Sequence, residues 1–381
     1  MQRYLEPTIS RDLKKKMVFV TGPRQSGKTT LSQALIATQD GIAGASQYLN
    51  YDVLEDRSVI TQRLWDARAP LLVLDEIHKM PQWKSWLKGV YDGKPTAQQL
   101  LVTGSARLET FRQTGDSLVG RFFALRLHPI SVREWCEQTG AKPEDALTHL
   151  LQRGGFPEPC LADTAEEAER WRRQYFEGLV RNDVLEFSRL HEVATMRLFA
   201  QMLRSRVGSP LSLASMARDL QLSPSTLKRY LDILEALYIV FVVRPWHRNI
   251  ARATLQSPKV YFYDTGLVIG DNGLRFENLV ACALLKHVEY LEDTQGREMG
   301  LHYIRTKDDA EVDFCISEGE TLIDLIECKL TDAKPHRALA RFAAEWPDAQ
   351  AIQLVRDLRQ PRVHDKLRVT AAAGWLAQLS A

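Results

Sequence analysis

The sequence predicts an α/β fold that begins with a parallel sheet of the P-loop NTPase class. Apolar runs alternate with helical segments over residues 17–127, and such runs are typical of strands covered by helices on both faces. The first run leads into a glycine-rich phosphate-loop motif, and the third run ends in two acids. The remaining sequence predicts a helical and winged-helix region followed by a second α/β domain.

Length and composition indicate a folded chain of several domains. With 381 residues the chain is too long for one compact core, so two or three domains are expected. The net charge of only +2 does not predict nucleic-acid binding, which would have to come from local basic patches. The five cysteines form no C-x-x-C pair, so the sequence indicates neither a disulfide framework nor a zinc site.

Two further patterns concern location. No apolar stretch approaches the roughly 20 residues that a membrane-spanning helix needs. The first sixteen residues are polar and lack the apolar centre of a secretory signal. We therefore expect a cytoplasmic protein without a membrane partner.

The phosphate loop follows the first predicted strand. Gly22 is separated by four residues from Gly27, Lys28 and Thr29, which is the spacing G-x-x-x-x-G-K-[ST] between a strand and a helix. The glycines allow a tight loop whose amides face phosphate oxygens, and the helix adds its partially positive N-terminus. Lys28 is predicted to reach the β- and γ-phosphates of ATP, and Thr29 to bind Mg²⁺. The predicted nucleotide-contacting residues are Gly22, Pro23, Arg24, Gln25, Ser26, Gly27, Lys28, Thr29 and Thr30.

The third and fourth apolar runs supply further candidates. A short helix is predicted from Ile9 to Lys16, and five strands are predicted at Met17–Thr21, Tyr48–Asp52, Leu71–Asp75, Leu100–Thr103 and Phe122–Leu127. Asp75 would hold the metal through its water shell, and Glu76 would polarise the attacking water. Thr103 and Ser105 are alternative contacts for the γ-phosphate, against the simpler interpretation of a turn.

An arginine that acts on the ATP of a neighbouring subunit is a further possibility. Arg121 precedes the fifth strand, and Arg107 is the alternative candidate. A surface salt bridge would explain either residue equally simply. An arginine finger would imply a ring or dimer, so a homo-oligomer is a possible assembly.

A family resemblance rests on five segments, Gly22–Thr30, Leu71–Glu76, Leu100–Ser105, Gly120-Arg121 and His128–Ile130. They resemble AAA-type ATPases of a large, mostly uncharacterised prokaryotic family. The resemblance implies an ATPase domain followed by a helical and winged-helix region and a restriction-endonuclease-like domain. The predicted domains are 1–135 (ATPase), 136–208 (helical), 209–250 (winged helix) and 251–381 (nuclease-like). The breaker cluster Gly154–Pro159 is also characteristic of this family, but it suggests no chemistry.

The predicted winged helix consists of two helices and a strand. Leu213–Leu220 is the first helix, and Ser223-Pro224 caps the second, which precedes a strand at Ile239–Val243. Lys228 and Arg229 would face outward where a recognition helix meets DNA. Packing against another part of the protein remains an equal alternative.

The last domain carries the second predicted site. Its element order is α-β-β-β-α-β, with Glu277 on the first helix, Asp313 on the second strand of that series, and Glu327 and Lys329 on the third. Residues two apart on a strand share one face, so Glu327 and Lys329 are expected together. A hairpin would bring Asp313 beside Glu327.

Two adjacent carboxylates repel unless a cation neutralises them, and oxygen ligands suit Mg²⁺ or Mn²⁺. Asp313 and Glu327 are therefore the predicted metal ligands, Lys329 would orient or deprotonate a water, and Glu277 would support the metal or Lys329. The pattern resembles the PD-(D/E)xK nuclease core, although Val312 stands where that motif has proline. A salt-bridged strand pair in an inert domain is the alternative.

The predicted function is ATP hydrolysis coupled to metal-dependent cleavage of nucleic acid, with DNA favoured and RNA not excluded. One alternative is an ATP-gated switch that binds DNA or protein and carries a silent nuclease fold. Another is a slow ATPase that serves as an adaptor in a larger complex.

Overall fold

The computed structural model describes residues 1–39, 45–104, 118–179, 190–246, 257–332 and 334–381. The chain divides into two compact units, Met1–His128 and Pro129–Ala381. None of the helices in the described ranges is long and apolar enough to cross a bilayer.

The first unit is a five-stranded parallel sheet with helices. Its strands are β1 (Met17–Thr21), β2 (Gln47–Asn50), β3 (Leu71–Asp75), β4 (Gln99–Thr103) and β5 (Phe122–Arg126). The spatial order is β2-β3-β4-β1-β5, and each neighbouring pair is parallel. β1 and β3 are buried along their whole length, as strands covered on both faces require. The predicted α/β class and its parallel sheet are confirmed.

Two predicted boundaries in this unit shift for local reasons. β2 ends at Asn50 rather than Asp52, because the Asn50 side chain accepts a hydrogen bond from the Asp52 amide at 2.9 Å and turns the chain. The first helix, α1 (Glu6–Asp12), begins earlier than the predicted Ile9, since Pro7 is tolerated in a first helical turn. The other helices of the unit are α2 (Lys28–Gln39), α3 (Leu54–Gln62) and α4 (Trp83–Gly93).

The second unit opens with helices. These are α5 (Val132–Thr139), α6 (Pro143–Arg153), α7 (Pro157–Leu161), α8 (Ala165–Gly178) and α9 (Leu190–Arg204). Ser131 and Thr164 each form a capping box, with Glu134 and Glu167 respectively. The predicted helical character of this region is confirmed over these five ranges.

Two more helices lead directly into a sheet. α10 (Leu213–Asp219) and α11 (Pro224–Ala236) are the predicted helix pair, and Ser223 caps α11 through the Thr226 amide. The strand that follows, β6 (Val240–Pro245), pairs with β7 (Lys259–Phe262) and also with β8 (Met299–Arg305). β6 is thus part of a larger sheet, and the predicted boundary at residue 250 falls between two paired strands.

The remaining elements follow the predicted α-β-β-β-α-β order. They are α12 (Asn272–Gln295), β8, β9 (Glu311–Glu318), β10 (Thr321–Thr331), α13 (Arg337–Glu345) and β11 (Gln350–Asp357). After them come β12 (Arg362–His364), β13 (Leu367–Ala371) and α14 (Ala372–Leu376). The eight strands lie in the order β12-β13-β11-β10-β9-β8-β6-β7. The sequence interpretation missed β12 and β13. A run as short as Arg362–His364 shows no recognisable alternation of apolar and polar residues.

The breaker cluster Gly154–Pro159 has a structural role in this unit. Gly155 accepts a hydrogen bond from the Ile130 amide at 2.6 Å, and Gly154 has φ of 75°. A Cβ at Gly154 would lie 2.3 Å from Asp264 Oδ1, and one at Gly266 would lie 2.0 Å from the Arg172 guanidinium. These glycines therefore leave room for a side-chain pair that a larger residue would displace.

The pair in question is buried. Arg172 Nε lies 2.8 Å from Asp264 Oδ2, and both side chains are at most 4% exposed. Arg172 also donates to the Arg153 carbonyl at 2.9 Å, next to the glycines. The ion pair therefore joins α8 to the turn after β7 and to the breaker cluster.

Replacing Arg172 with Met should destabilise the second unit strongly. Removing one partner of a buried ion pair leaves an uncompensated charge, which typically costs about 3–5 kcal/mol. Urea unfolding followed by tryptophan fluorescence would measure the loss in the free energy of unfolding. Arg173→Met is the matched control, because Arg173 is 81% exposed and pairs only at 3.6 Å with Glu177. Equal effects of the two substitutions would contradict this interpretation.

Candidate functional site

The phosphate loop connects β1 to α2 in a compact turn. Gly22 has φ of 141°, Gly27 has φ of 95°, and Gln25 has φ of 59°. A Cβ at Gly22 would lie 2.4 Å from the Leu127 carbonyl oxygen. Both the backbone angle and the close approach therefore require glycine at this position. Of the predicted contact residues, the more exposed are Gln25, Thr29 and Thr30, and the buried ones include Pro23, Ser26 and Lys28.

Lys28 begins α2 and folds back over the loop. Its Nζ donates to the carbonyl oxygens of Gly22 at 3.0 Å and Pro23 at 2.6 Å. Burial lowers the pKa of Lys28 to about 8, although Glu76 and Asp75 act in the opposite direction. The ammonium group thus lies where the loop and the acids at the end of β3 converge.

Asp75 is the most heavily hydrogen-bonded acid of this region. Its Oδ1 accepts from Thr103 Oγ1 at 2.6 Å and from the Glu76 amide at 3.0 Å, and its Oδ2 accepts from the Tyr48 hydroxyl. Thr103 and Asp75 are register partners on β4 and β3. Burial and the neighbouring Asp75 raise the pKa of Tyr48 above its usual value, whereas hydrogen bonds with Thr29 and Asn50 act against this. Tyr48 therefore lies between the two predicted magnesium ligands, Thr29 and Asp75.

Glu76 occupies an unusual backbone position. Its φ of 55° places it in the left-handed region, where residues other than glycine are uncommon. Its Oε2 lies 3.5 Å from both His78 Nε2 and Lys79 Nζ. Burial and the adjacent Asp75 raise the pKa of Glu76. The side chain is thus held at the carboxyl end of β3, beside Asp75, a predicted metal ligand.

The other candidates near the nucleotide have different surroundings. Thr103, one of two candidate phosphate contacts, donates to Asp75, while Ser105 lies outside the described residues, as does Arg107. Arg121 forms an ion pair with Asp92 at 2.8 Å, and its side chain is 30% exposed. Its guanidinium is therefore accessible from outside.

Sequence reasoning missed two residues around the loop. Arg3 donates to the Ser26 carbonyl at 2.6 Å and also to the His128 carbonyl, so it supports the loop from behind. Tyr48 carries a weak signal, because it lies on a strand adjacent to the one that ends in Asp75. Arg3 has no signal, since the loop motif does not extend to the first residues.

The second predicted site lies on the β9–β10 hairpin. The Asp313 amide donates to Glu327 Oε2 at 3.4 Å, and Asp313 Oδ2 accepts from the Cys328 amide at 2.8 Å. The two predicted metal ligands are thus adjacent and on the same side of the hairpin. Burial and the carboxylates of Glu277 and Glu327 raise the pKa of Asp313 well above its usual value.

Glu327 is held by two basic side chains. Its Oε1 lies 2.6 Å from Lys329 Nζ and 3.1 Å from His336 Nδ1. Burial alone would raise the pKa of Glu327, but His336 and Lys329 bring it below its usual value. Lys329 therefore meets Glu327, as the spacing of two residues predicts, and His336 is an additional partner that the sequence did not indicate.

A second lysine, Lys259, lies inside this carboxylate cluster. Lys259 Nζ is 2.6 Å from Glu311 Oε1, 3.7 Å from Glu277 Oε1 and 3.9 Å from Asp313 Oδ1. Although burial disfavours its charge, Glu277, Asp313 and Glu311 raise the pKa of Lys259. Glu277 also accepts from the Tyr261 hydroxyl at 2.8 Å. The described contacts of Glu277 are therefore with Lys259 and Tyr261, not with Lys329.

Within the described ranges, no group of three or more His, Cys, Asp or Glu side chains is arranged to hold a metal ion. The Asp313–Glu327 pair supplies two carboxylates, which is what Mg²⁺ commonly takes from a protein while it keeps several waters. A cavity of about 320 Å³ adjoins the cluster, because Glu311 and His336 line it together with Arg337 and Arg341. The donors thus suit a partly hydrated cation, and the adjacent cavity is lined by both acidic and basic side chains.

Family models match three consecutive segments. Residues 14–136 match an AAA domain. Residues 144–275 match a domain of unknown function (DUF8612), and residues 272–373 match another (DUF4143). The AAA match covers the phosphate loop and the acids at the end of β3.

Similar proteins are known from bacteria and archaea. An uncharacterized protein of Mycobacterium tuberculosis is 30% identical over 312 residues, covering 79% of this chain and 67% of the relative. One from Methanocaldococcus jannaschii is 23% identical over 356 residues, covering 83% and 77%.

Two solved structures show a distant likeness. The Holliday junction branch migration motor RuvB of Thermotoga maritima shares 16% identity and covers 62% of this chain and 88% of its own, with a TM-score of 0.33. AMPPCP-bound DnaA from Aquifex aeolicus shares 16%, covers 61% and 85%, and has a TM-score of 0.32. From the mycobacterial match and the AAA match, the chain belongs to the same family as the uncharacterized mycobacterial protein, and its first unit is an AAA-type P-loop ATPase domain.

Proposed function

We propose that this ATPase uses its nucleotide state to control a metal-dependent nuclease site on nucleic acid, with DNA as the favoured substrate. The observation that carries the ATPase half is the convergence of Lys28, Asp75 and Glu76 at one edge of the sheet. The observation that supports the nuclease half is the adjacency of Asp313, Glu327 and Lys329.

In the first unit, Thr29 and Asp75 would hold Mg²⁺, which would neutralise charge on the phosphates of ATP. The buried Ser26 hydroxyl has no hydrogen-bond partner among the described residues, which fits a loop shaped to receive an oxygen-rich ligand. Lys28 would exchange the carbonyls of Gly22 and Pro23 for phosphate oxygens, where its charge has the stronger partner.

Glu76 is the proposed base for the attacking water. Its raised pKa brings a carboxylate closer to the pH at which general bases act best. Arg121 remains the proposed arginine finger of a homo-oligomer, because its pairing with Asp92 is at the surface and exchangeable.

In the second unit, Asp313 and Glu327 would hold Mg²⁺ or Mn²⁺, and such an ion would stabilise the charge of a phosphodiester undergoing hydrolysis. Lys329 would orient or deprotonate a water molecule. Arg337 would contact the substrate phosphates from the adjacent cavity, and Arg341 would do so in exchange for its partner Asp308. The restriction-endonuclease-like character of this domain and a winged-helix role for α10 and α11 belong to the same proposal.

A second candidate function is an ATP-gated binding switch with a silent nuclease fold. Two observations favour it. Lys228 pairs with Asp232 at 2.7 Å and Arg229 with Glu192 at 2.6 Å, so both basic residues of the predicted recognition helix have acidic partners. Lys259 also places a positive charge inside the carboxylate cluster.

Gly22→Ala should impair ATP binding without unfolding the chain. The new Cβ would meet the Leu127 carbonyl at 2.4 Å and force the loop to move. We expect ATP affinity to fall at least about tenfold, or about 1.4 kcal/mol. Fluorescence titration with a labelled ATP analogue would measure it. Gly93→Ala is the control, because no atom lies within 4 Å of a Cβ there. Unchanged affinity in the Gly22 variant would refute the assigned loop geometry.

Glu76→Gln should separate binding from hydrolysis. The amide cannot accept the proton of the attacking water, so the hydrolysis rate should fall by about 10²-fold or more while ATP still binds. Phosphate release in single-turnover experiments would measure the rate. Glu55→Gln, at an exposed position of α3, should behave as wild type. Retained hydrolysis would assign the base to another residue.

Lys329→Ala should slow cleavage strongly and leave ATP hydrolysis intact. Without the amine that orients or deprotonates the attacking water, nicking of supercoiled plasmid in Mn²⁺ should slow by about 10²-fold or more. The exposed Lys366→Ala is the control. If the wild-type protein, given ATP and either Mg²⁺ or Mn²⁺, cuts no form of DNA or RNA, the proposed nuclease activity is wrong. A mobility shift that responds to ATP would then favour the switch.

A further inference from the structure

Lys259 is the least expected charge in the second unit. Lys259 is 0% exposed, whereas lysine is seldom fully buried unless it is paired. The aromatic face of Tyr303 lies 5.2 Å from Nζ, so the ammonium is enclosed by a ring on one side and by carboxylates on the other.

The carboxylates around it come from different elements. Glu277 lies on α12, whereas Glu311 and Asp313 lie on β9. Lys259 itself is on β7, which pairs with β6 at the edge of the sheet and is separated from β9 by β6 and β8. The charge is therefore supplied from outside the β9–β10 hairpin that carries the proposed metal ligands.

The charges of the cluster do not balance. Four acids, Glu277, Glu311, Asp313 and Glu327, face three cationic side chains, those of Lys259, Lys329 and Arg305, the last of which lies 2.8 Å from Glu311 Oε2. When all of these groups are ionised, one negative charge remains. Lys259 Nζ is 3.9 Å from Asp313 Oδ1, close enough for its charge to oppose a second cation on that oxygen.

We propose that Lys259 is the resident cation of this carboxylate cluster and that it limits the affinity of Asp313 and Glu327 for a divalent metal ion. The inference rests on the proposed metal site of the second unit. It assigns to Lys259 an electrostatic role that acts through Asp313, since the side chain is buried beside that carboxylate.

Isothermal titration of the full chain with MnCl₂ alone tests the inference. Lys259→Met removes the charge and keeps much of the side-chain volume, and it should bind Mn²⁺ at least about tenfold more tightly than wild type. Adding Asp313→Asn should abolish the gain, which assigns it to this cluster. Lys259→Arg retains the charge and should bind like wild type.

Lys286→Met is the matched control for removing a buried lysine. Lys286 is 2% exposed and pairs with Glu134, away from the hairpin ligands. If the Lys286 variant or the Lys259→Arg variant shows the same gain as Lys259→Met, loosened packing rather than charge is responsible and the inference is overturned. Equal or weaker binding by Lys259→Met also overturns it.

The outcomes separate this inference from the proposed function. If wild type fails to bind Mn²⁺ but Lys259→Met binds it, the inference stands and the metal site of the natural chain fails. If wild type binds and Lys259→Met binds equally, the proposed site stands and the inference fails. If neither binds, both fail.

If Lys259→Met folds poorly because the carboxylates lose their counter-ion, refolding in MnCl₂ should restore its far-ultraviolet circular dichroism. A divalent cation would then replace the missing ammonium group. Lys286→Met should show no such rescue. Failure of Mn²⁺ to restore the fold would overturn the inference.

Discussion

Burying a carboxylate requires a nearby positive charge, and both candidate sites depend on this constraint. At the end of β3, the Lys28 ammonium interacts electrostatically with Asp75 and Glu76. On the β9–β10 hairpin, Lys329 and Lys259 serve Glu327 and Asp313. The acid and its counter-ion come from different elements in each case apart from the Glu327–Lys329 pair. The fold is therefore what brings the charges together.

The two sites use their lysines in opposite ways. Lys28 Nζ rests on the carbonyls of Gly22 and Pro23, which are weak partners that an anion would readily replace. Burial lowers the pKa of Lys28, and the nearby Glu76 and Asp75 only partly offset this effect. Lys259 is enclosed by acids that raise its pKa, so its charge is fully engaged. The first arrangement favours an incoming phosphate, and the second favours one cation in competition with another.

The sequence was most informative where chemistry is contiguous. The phosphate loop, the strand that ends in Asp75 and the Glu327–Lys329 spacing each lie within one or two elements, so motif and periodicity predict their placement. The α/β class and the parallel sheet are confirmed for the same reason. Lys259, His336 and Tyr48 come from distant segments and belong to no motif. Their positions depend on strand order, for example β7 at the far edge of the sheet beyond β6 and β8, which periodicity does not encode.

Strand order also explains why the two-helix segment and the carboxylate cluster belong to one structure. α11 ends at Ala236, β6 begins at Val240, and Val243 of β6 is the register partner of Lys259. The positive charge beside Asp313 is that of Lys259 on β7, and β7 pairs with β6, the strand that follows α11. Since ladder hydrogen bonds fix register between paired strands, a shift of α11 that moved β6 would also move Lys259 relative to β9. A nuclease-like site on an isolated hairpin would have no such connection to the helices before it.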